Sequence, residues 1–97
     1  MPHYIMLMNL TEQGIKDIKN APERVKEAVK YGETLGGKML DFYMTMGEYD
    51  YVAIAEGTSD ENALKFLAAL GASGNVRTKT LKAFTLEEMA EIVKDLP

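Results

Sequence analysis

The chain opens on a nearly continuous apolar run, His3 to Leu10 (HYIMLMNL), bounded by Pro2 and by Asn9-Leu10-Thr11. A short run of this kind predicts a central strand buried on both faces. Thr11 to Asn20 (TEQGIKDIKN) is less regular, and Ile15 and Ile18 are expected to pin a short helical turn onto the core. A helical stripe follows. Val25, Ala28, Val29, Gly32 and Leu35 share one side, with Lys26, Glu27, Lys30 and Glu33 on the other. Asn20 is placed to cap this helix, Pro22 suits its first turn, Glu23 fits a capping box, and Gly36-Gly37 ends it.

Lys38 to Met46 reads as a second strand and Tyr49 to Glu56 as a third, joined as a hairpin through Gly47-Glu48 or a slightly longer connection. Thr58 and Glu61 stand at capping-box spacing before a second helix, whose apolar side is Leu64, Leu67, Ala68 and Leu70. Gly71 to Asn75 closes it. Val76 to Phe84 predicts a fourth strand, with Val76, Thr78 and Thr80 on one side and Arg77, Lys79 and Leu81 on the other. Thr85 and Glu88 open a last amphipathic helix with the stripe Leu86, Met89, Ile92, Val93 and Leu96. The order β-α-β-β-α-β plus a C-terminal helix is the split βαβ pattern, so residues 1–97 are expected to form a single α+β, ferredoxin-like domain. Right-handed crossovers put both long helices on one sheet face. The other face is then bare and apolar, and two such faces in contact make a dimeric α+β barrel enclosing a cavity. A two-residue period leaves two registers for the third strand. In the preferred one, Val52 and Ile54 face the helices and Tyr49, Tyr51, Ala53 and Ala55 line the open face. In the other, the tyrosines go inside.

Composition narrows the function classes. The net charge is −4 and there are 11 Lys and Arg against 15 Asp and Glu, with no basic run among aromatics, so nucleic acid is not an expected partner. No apolar run approaches the ~20 residues of a membrane span, and the start lacks the pattern of a secretory signal. The absence of cysteine removes disulfides, thiolate catalysis and cysteine metal sites. The cytoplasm is the expected location. His3 is the single histidine and has no second ligand at metal spacing, and the strand methionines read as core filler, so no metal and no cofactor are expected.

The segment from Gly36-Gly37-Lys38 through Phe42-Tyr43-Met44-Thr45-Met46-Gly47-Glu48-Tyr49-Asp50-Tyr51-Val52 resembles the GYD domain family, whose Gly-x-Tyr-Asp signature falls on Gly47, Tyr49 and Asp50. Tyr4-Ile5, Thr11-Glu12-Gln13-Gly14-Ile15 and Gly74-Asn75-Val76-Arg77-Thr78 fit as well, so the resemblance covers nearly the whole chain. It implies a small ferredoxin-like domain of the dimeric α+β barrel type and implies no reaction.

Asp50 is the sharpest chemical candidate. At the mouth of a barrel it would serve as a general base with Tyr43 or Tyr49 as its hydrogen-bond partner. As a structural residue it would accept backbone N–H bonds and fix the hairpin, and this role ranks above the chemical one. Tyr49, Tyr51, Thr45, Arg77 and Thr78 are the candidate ligand-binding residues. The tyrosines would stack on a planar ligand or fill a dimer interface. Arg77 would hold an anion or pair with Asp41, Glu48 or Asp50. The expected partners are therefore a second copy of the chain and a small apolar or planar ligand. Three functional classes follow: a homo-oligomeric small-molecule binding domain, which ranks first; a cofactor-independent enzyme, monooxygenase- or isomerase-like, moving a proton through Asp50 and a tyrosine; and an assembly module with a filled barrel.

Overall fold

The apolar run at the start of the chain becomes a central strand, as its lack of polar alternation requires. A computed structural model describes residues 1–97. The elements are β1 (His3–Leu10), α1 (Glu12–Lys16) with a 3-10 turn at Ile18–Asn20, α2 (Ala21–Thr34), β2 (Lys38–Met44), β3 (Tyr51–Glu56), α3 (Asp60–Ser73), β4 (Val76–Ala83) and α4 (Leu86–Val93). The strands form one antiparallel sheet in the order β2-β3-β1-β4. This is the expected α+β, ferredoxin-like arrangement. Helices α2 and α3 lie together on one face, where Tyr31 stacks on Phe66 with centroids 6.2 Å apart.

The register of β3 is the reverse of the preferred expectation. Tyr4, Met6 and Met8 of β1 are buried under the helices, and they stand opposite Ala55, Ala53 and Tyr51. Tyr51 therefore points inward, and Val52 and Ile54 face out beside Leu7 and Ile5. The cause is size matching across the strand pair. Large side chains on β1 need small partners on the helix side, and Ala53, fully buried, sits against Met6. Branched Val52 and Ile54 fit the less crowded outer face.

Other local expectations also shift. The β2–β3 connection runs over residues 45–50, longer than a two-residue turn, with Gly47 at φ +100°. Helix α3 is capped by Ser59, which accepts from Asn62 N, and not by Thr58. Its inner side is then Ala63, Phe66, Leu67 and Leu70, while Leu64 is 65% exposed. Asn20 donates to Asp17 Oδ1 at 2.6 Å and does not cap α2. Ile15 is exposed, and the seat against the core is taken by Gly14. A Cβ at Gly14 would run into the carbonyl oxygen of Asn75, so only glycine permits this approach. The Thr85–Glu88 capping box forms as expected.

Helix α4 makes at most slight contact with any other element, and its apolar stripe is exposed. The molecule measures 53 × 31 × 18 Å with a radius of gyration of 14.8 Å. A compact chain of this length has about 12.5 Å. No helix is long and apolar enough to cross a membrane.

Candidate functional site

Asp50 closes one end of the sheet. Beyond Met8, β3 no longer runs beside β1, and the Asp50 side chain takes the place of the missing strand. Its Oδ2 accepts from Leu10 N at 2.8 Å. Its backbone N–H donates to Met8 O at 2.9 Å, and its carbonyl accepts from Thr45 N at 2.8 Å. Thr45 Oγ1 donates to Tyr49 O at 2.5 Å, and Asn9 Nδ2 donates to Glu48 O at 2.9 Å. The GYD-like stretch is thereby locked to the end of β1.

The chain that continues from Leu10 is fastened at the same end. Thr11 N donates to Asn75 O at 3.0 Å and Thr11 Oγ1 to Gly74 O at 2.6 Å. Gly74 holds the left-handed turn after α3 at φ +80°. Gln13 Nε2 reaches Ser73 O and Asn75 Oδ1. Arg24 of α2 joins the cluster, its Nη2 donating to Gly14 O at 3.1 Å and its Nη1 to Asp17 Oδ2 at 3.0 Å. Three segments distant in sequence, around residues 10–14, 45–50 and 73–76, thus meet in one joint. Arg24 was invisible to sequence reasoning, because its partners are backbone and carboxylate groups that only the turn at 17–20 brings within reach.

Behind this joint lies the principal cavity. Only seven residues of the chain are buried, so the helix layer sits loosely on the sheet. A cavity of about 270 Å³ opens between them, with Met6, Met8, Phe42, Phe66, Leu70 and Tyr51 among its walls. A smaller cavity of about 70 Å³ continues it toward Tyr4 and Thr80, sharing Met6, Ala28, Met39 and Phe66. Two tyrosines reach into this layer in different states. The Tyr4 hydroxyl donates to Asp60 Oδ1 at 2.5 Å, and burial together with that carboxylate pushes its pKa up to about 12. The Tyr4 bond, assisted by Lys82 at 3.0 Å, holds the Asp60 carboxyl below the usual range. Tyr51 is 5% exposed, and burial raises its pKa, with Arg24 opposing and Asp50 adding to the rise.

The residues proposed from sequence do not gather in one place. Tyr51 and Thr78 share the helix side with Met8. Tyr43 lies on the outer face opposite Val52, 57% exposed, and its hydroxyl is 3.5 Å from Asp41, not Asp50. Tyr49 lies beneath Lys79, whose Nζ is 6.0 Å from the ring centroid. Arg77 is exposed opposite Asn9 and makes no ion pair with Asp41, Glu48 or Asp50. His3 Nε2 sits 3.7 Å from Glu56 Oε2 at the other end of the outer face.

Comparison with known proteins places this architecture among relatives. A curated protein of Thermus thermophilus, named glutamine synthetase and cystathionine beta-lyase binding protein, is 30% identical over 95 residues, covering 97% of this chain and 100% of that protein. The crystal structure of a protein from Thermus thermophilus superposes with a TM-score of 0.55 at 23% identity, covering 88% of this chain and 95% of the other. That likeness bears on the fold alone, and the fold agrees. The family model described as GYD domain matches residues 4–93, from β1 to the end of α4. The chain belongs to the GYD domain family.

Proposed function

We propose that this chain is a binding module for other proteins, working as a pair of identical copies. The observation that carries the reading is the uncovered stripe of α4. Leu86, Met89, Ile92, Val93 and Leu96 are 76%, 52%, 61%, 41% and 69% exposed. An amphipathic helix in a finished protein buries such a stripe, and contiguous exposed apolar surface marks an interaction site. The spacing of these anchors suits a helix laid into an apolar groove. The relative from Thermus thermophilus is named for binding glutamine synthetase and cystathionine β-lyase. By extension, the partner class here is a metabolic enzyme of that kind.

The outer sheet face supports self-association. Ile5, Leu7, Val52 and Ile54 stand side by side there and are only half-buried. A second copy meeting this face would cover them. A small-molecule site between two such faces would draw on Tyr43, Tyr49 and Arg77. Tyr51 and Thr78 lie on the opposite face and outside it.

Surface plasmon resonance against immobilised glutamine synthetase and cystathionine β-lyase, with light scattering of the free protein, checks both parts. The wild type is expected to be a dimer and to bind at least one enzyme. Ile92→Glu is expected to weaken that binding about tenfold or more, since burying such a side chain contributes about 1.5–3 kcal/mol. Its melting temperature should stay unchanged, because Ile92 is 61% exposed. Absence of binding to both enzymes, or equal binding by Ile92→Glu, refutes the reading. Conversion of the dimer to monomer by Ile92→Glu would assign α4 to self-association instead.

A further inference from the structure

We propose that the 270 Å³ helix-side cavity is a binding site for a small amphiphilic molecule, an apolar body ending in an acceptor oxygen that takes a hydrogen bond from the Tyr51 hydroxyl. The size is close to the lower end of ligand cavities, about 300 Å³. The walls fit an apolar body. Met6, Met8, Phe42, Phe66 and Leu70 surround it, and methionine and aromatic side chains adapt to varied shapes. Phe42 and Tyr51 lie with ring centroids 5.0 Å apart, forming one continuous aromatic wall.

The polar handle is the second, independent observation. Tyr51 is 5% exposed as a residue, and its hydroxyl, which keeps some access to solvent, makes no hydrogen bond within the chain, whereas the Tyr4 hydroxyl in the same layer is satisfied by Asp60. That hydroxyl is open to the cavity side and free to meet a ligand there. An unpartnered donor on the wall of an apolar cavity is the arrangement that fixes the orientation of a ligand. Burial keeps Tyr51 protonated, so it donates. The Arg24 charge acts on Tyr51 in the sense that favours an acceptor of negative character such as a carboxylate, and the Asp50 carboxylate acts in the opposite sense. Arg24 Nη1 is committed to Asp17 O and Oδ2, and Nη2 donates to Gly14 O, which ties the guanidinium to the joint. The joint around Asp50 fixes the adjacent Tyr51 in this orientation.

The site shares no residue with the α4 stripe, so its failure would leave the protein-binding reading standing. Titration of the ¹⁵N-labelled full chain with octanoate and with 4-phenylbutyrate, followed by amide chemical shifts, provides the test. Saturable shifts are expected at Met8, Phe42, Tyr51 and Phe66. Tyr51→Phe should weaken binding about tenfold or more, the usual loss for a hydrogen bond to a charged group. It should leave the thermal midpoint unchanged, because the lost hydroxyl has no protein partner. Ala69→Leu, which narrows the cavity from α3, should abolish binding in a folded protein. Three results would overturn the proposal: no saturable shift with either compound, shifts centred on Val52 and Ile54 of the outer face, or equal affinity in Tyr51→Phe.

Discussion

Replacing Asp50 by alanine isolates one interaction. The backbone bonds of residue 50, to Met8 O and from Thr45 N, survive the change. Only the 2.8 Å bond from Leu10 N to the carboxylate is lost. A hydrogen bond to a charged group contributes about 1.5–3 kcal/mol, and an N–H left without a partner adds a desolvation penalty. Leu10 and Asp50 are both half-buried, so water can partly replace the carboxylate. The lower end applies, about 1.5–2 kcal/mol. A chain of 97 residues has an unfolding entropy of about 0.2 kcal/mol/K, so the midpoint should fall by about 7–10 °C. Asp50→Asn keeps an acceptor oxygen in the same place and should lower it by less than about 5 °C. Thermal denaturation by circular dichroism measures both, and hydrogen exchange at the Leu10 amide should accelerate only in the alanine variant. The reasoning fails if Asp50→Ala stays within about 0.5 kcal/mol of wild type. It fails equally if Leu10 exchange is unchanged, or if asparagine is as damaging as alanine, which would make the charge and not the acceptor decisive.

Two further outcomes follow from the same geometry. Gly14→Ala should lower the urea midpoint by an amount equivalent to about 3 kcal/mol, the upper end for overpacking, because the new Cβ meets the Asn75 carbonyl and backbone cannot rotate away; a neutral result would mean that α1 is not seated on β4. Glu88 is held below the usual carboxylate range, first by the Thr85 backbone N–H and further by the Thr85 side chain, so its contribution is present above the unfolded-state value of about 4.3 and lost as pH falls through the lower folded value. Helical ellipticity from α4 should therefore drop in that acid range, and Glu88→Gln should remove the step; an identical acid profile in the variant would contradict the capping role.

The sequence made the elements legible because their signals are local. Thr85-x-x-Glu88 reads as a helix start, and it is one. The register of β3 was not legible, because both of its faces are apolar and alternation alone cannot orient it. The branched residues Val52 and Ile54 suggested an inward face by their own character. What decides is the neighbouring strand, where Tyr4, Met6 and Met8 leave room only for alanines opposite two of them. Asp50 shows the same division. Its place after a tight turn predicted a backbone-fixing role, but its partner, forty residues earlier at Leu10 N, belongs to the fold. Arg24 and the Tyr4–Asp60 bond carry no local signal, since each depends on segments that meet only after the sheet has formed.

The link between Asp50 and Tyr51 ties the sequence motif to the cavity. A β-strand gives successive residues opposite faces, so the side that receives Asp50 determines the side that receives Tyr51. The carboxylate is bound at the strand end by Leu10 N, and the backbone on both sides of it is held by Met8 and Thr45. The next side chain has one direction left, inward beneath α2 and α3, where it meets Phe42. Slackening the joint by Asp50→Ala should therefore act on the cavity without removing any atom that lines it. Asp50 Oδ2 accepts from the Leu10 amide and Oδ1 makes no hydrogen bond within the chain, so the contact that the carboxylate makes is with backbone. Under the proposed cavity site the role of Asp50 is positional: it orients the tyrosine, and the tyrosine hydroxyl is the group that a ligand would meet.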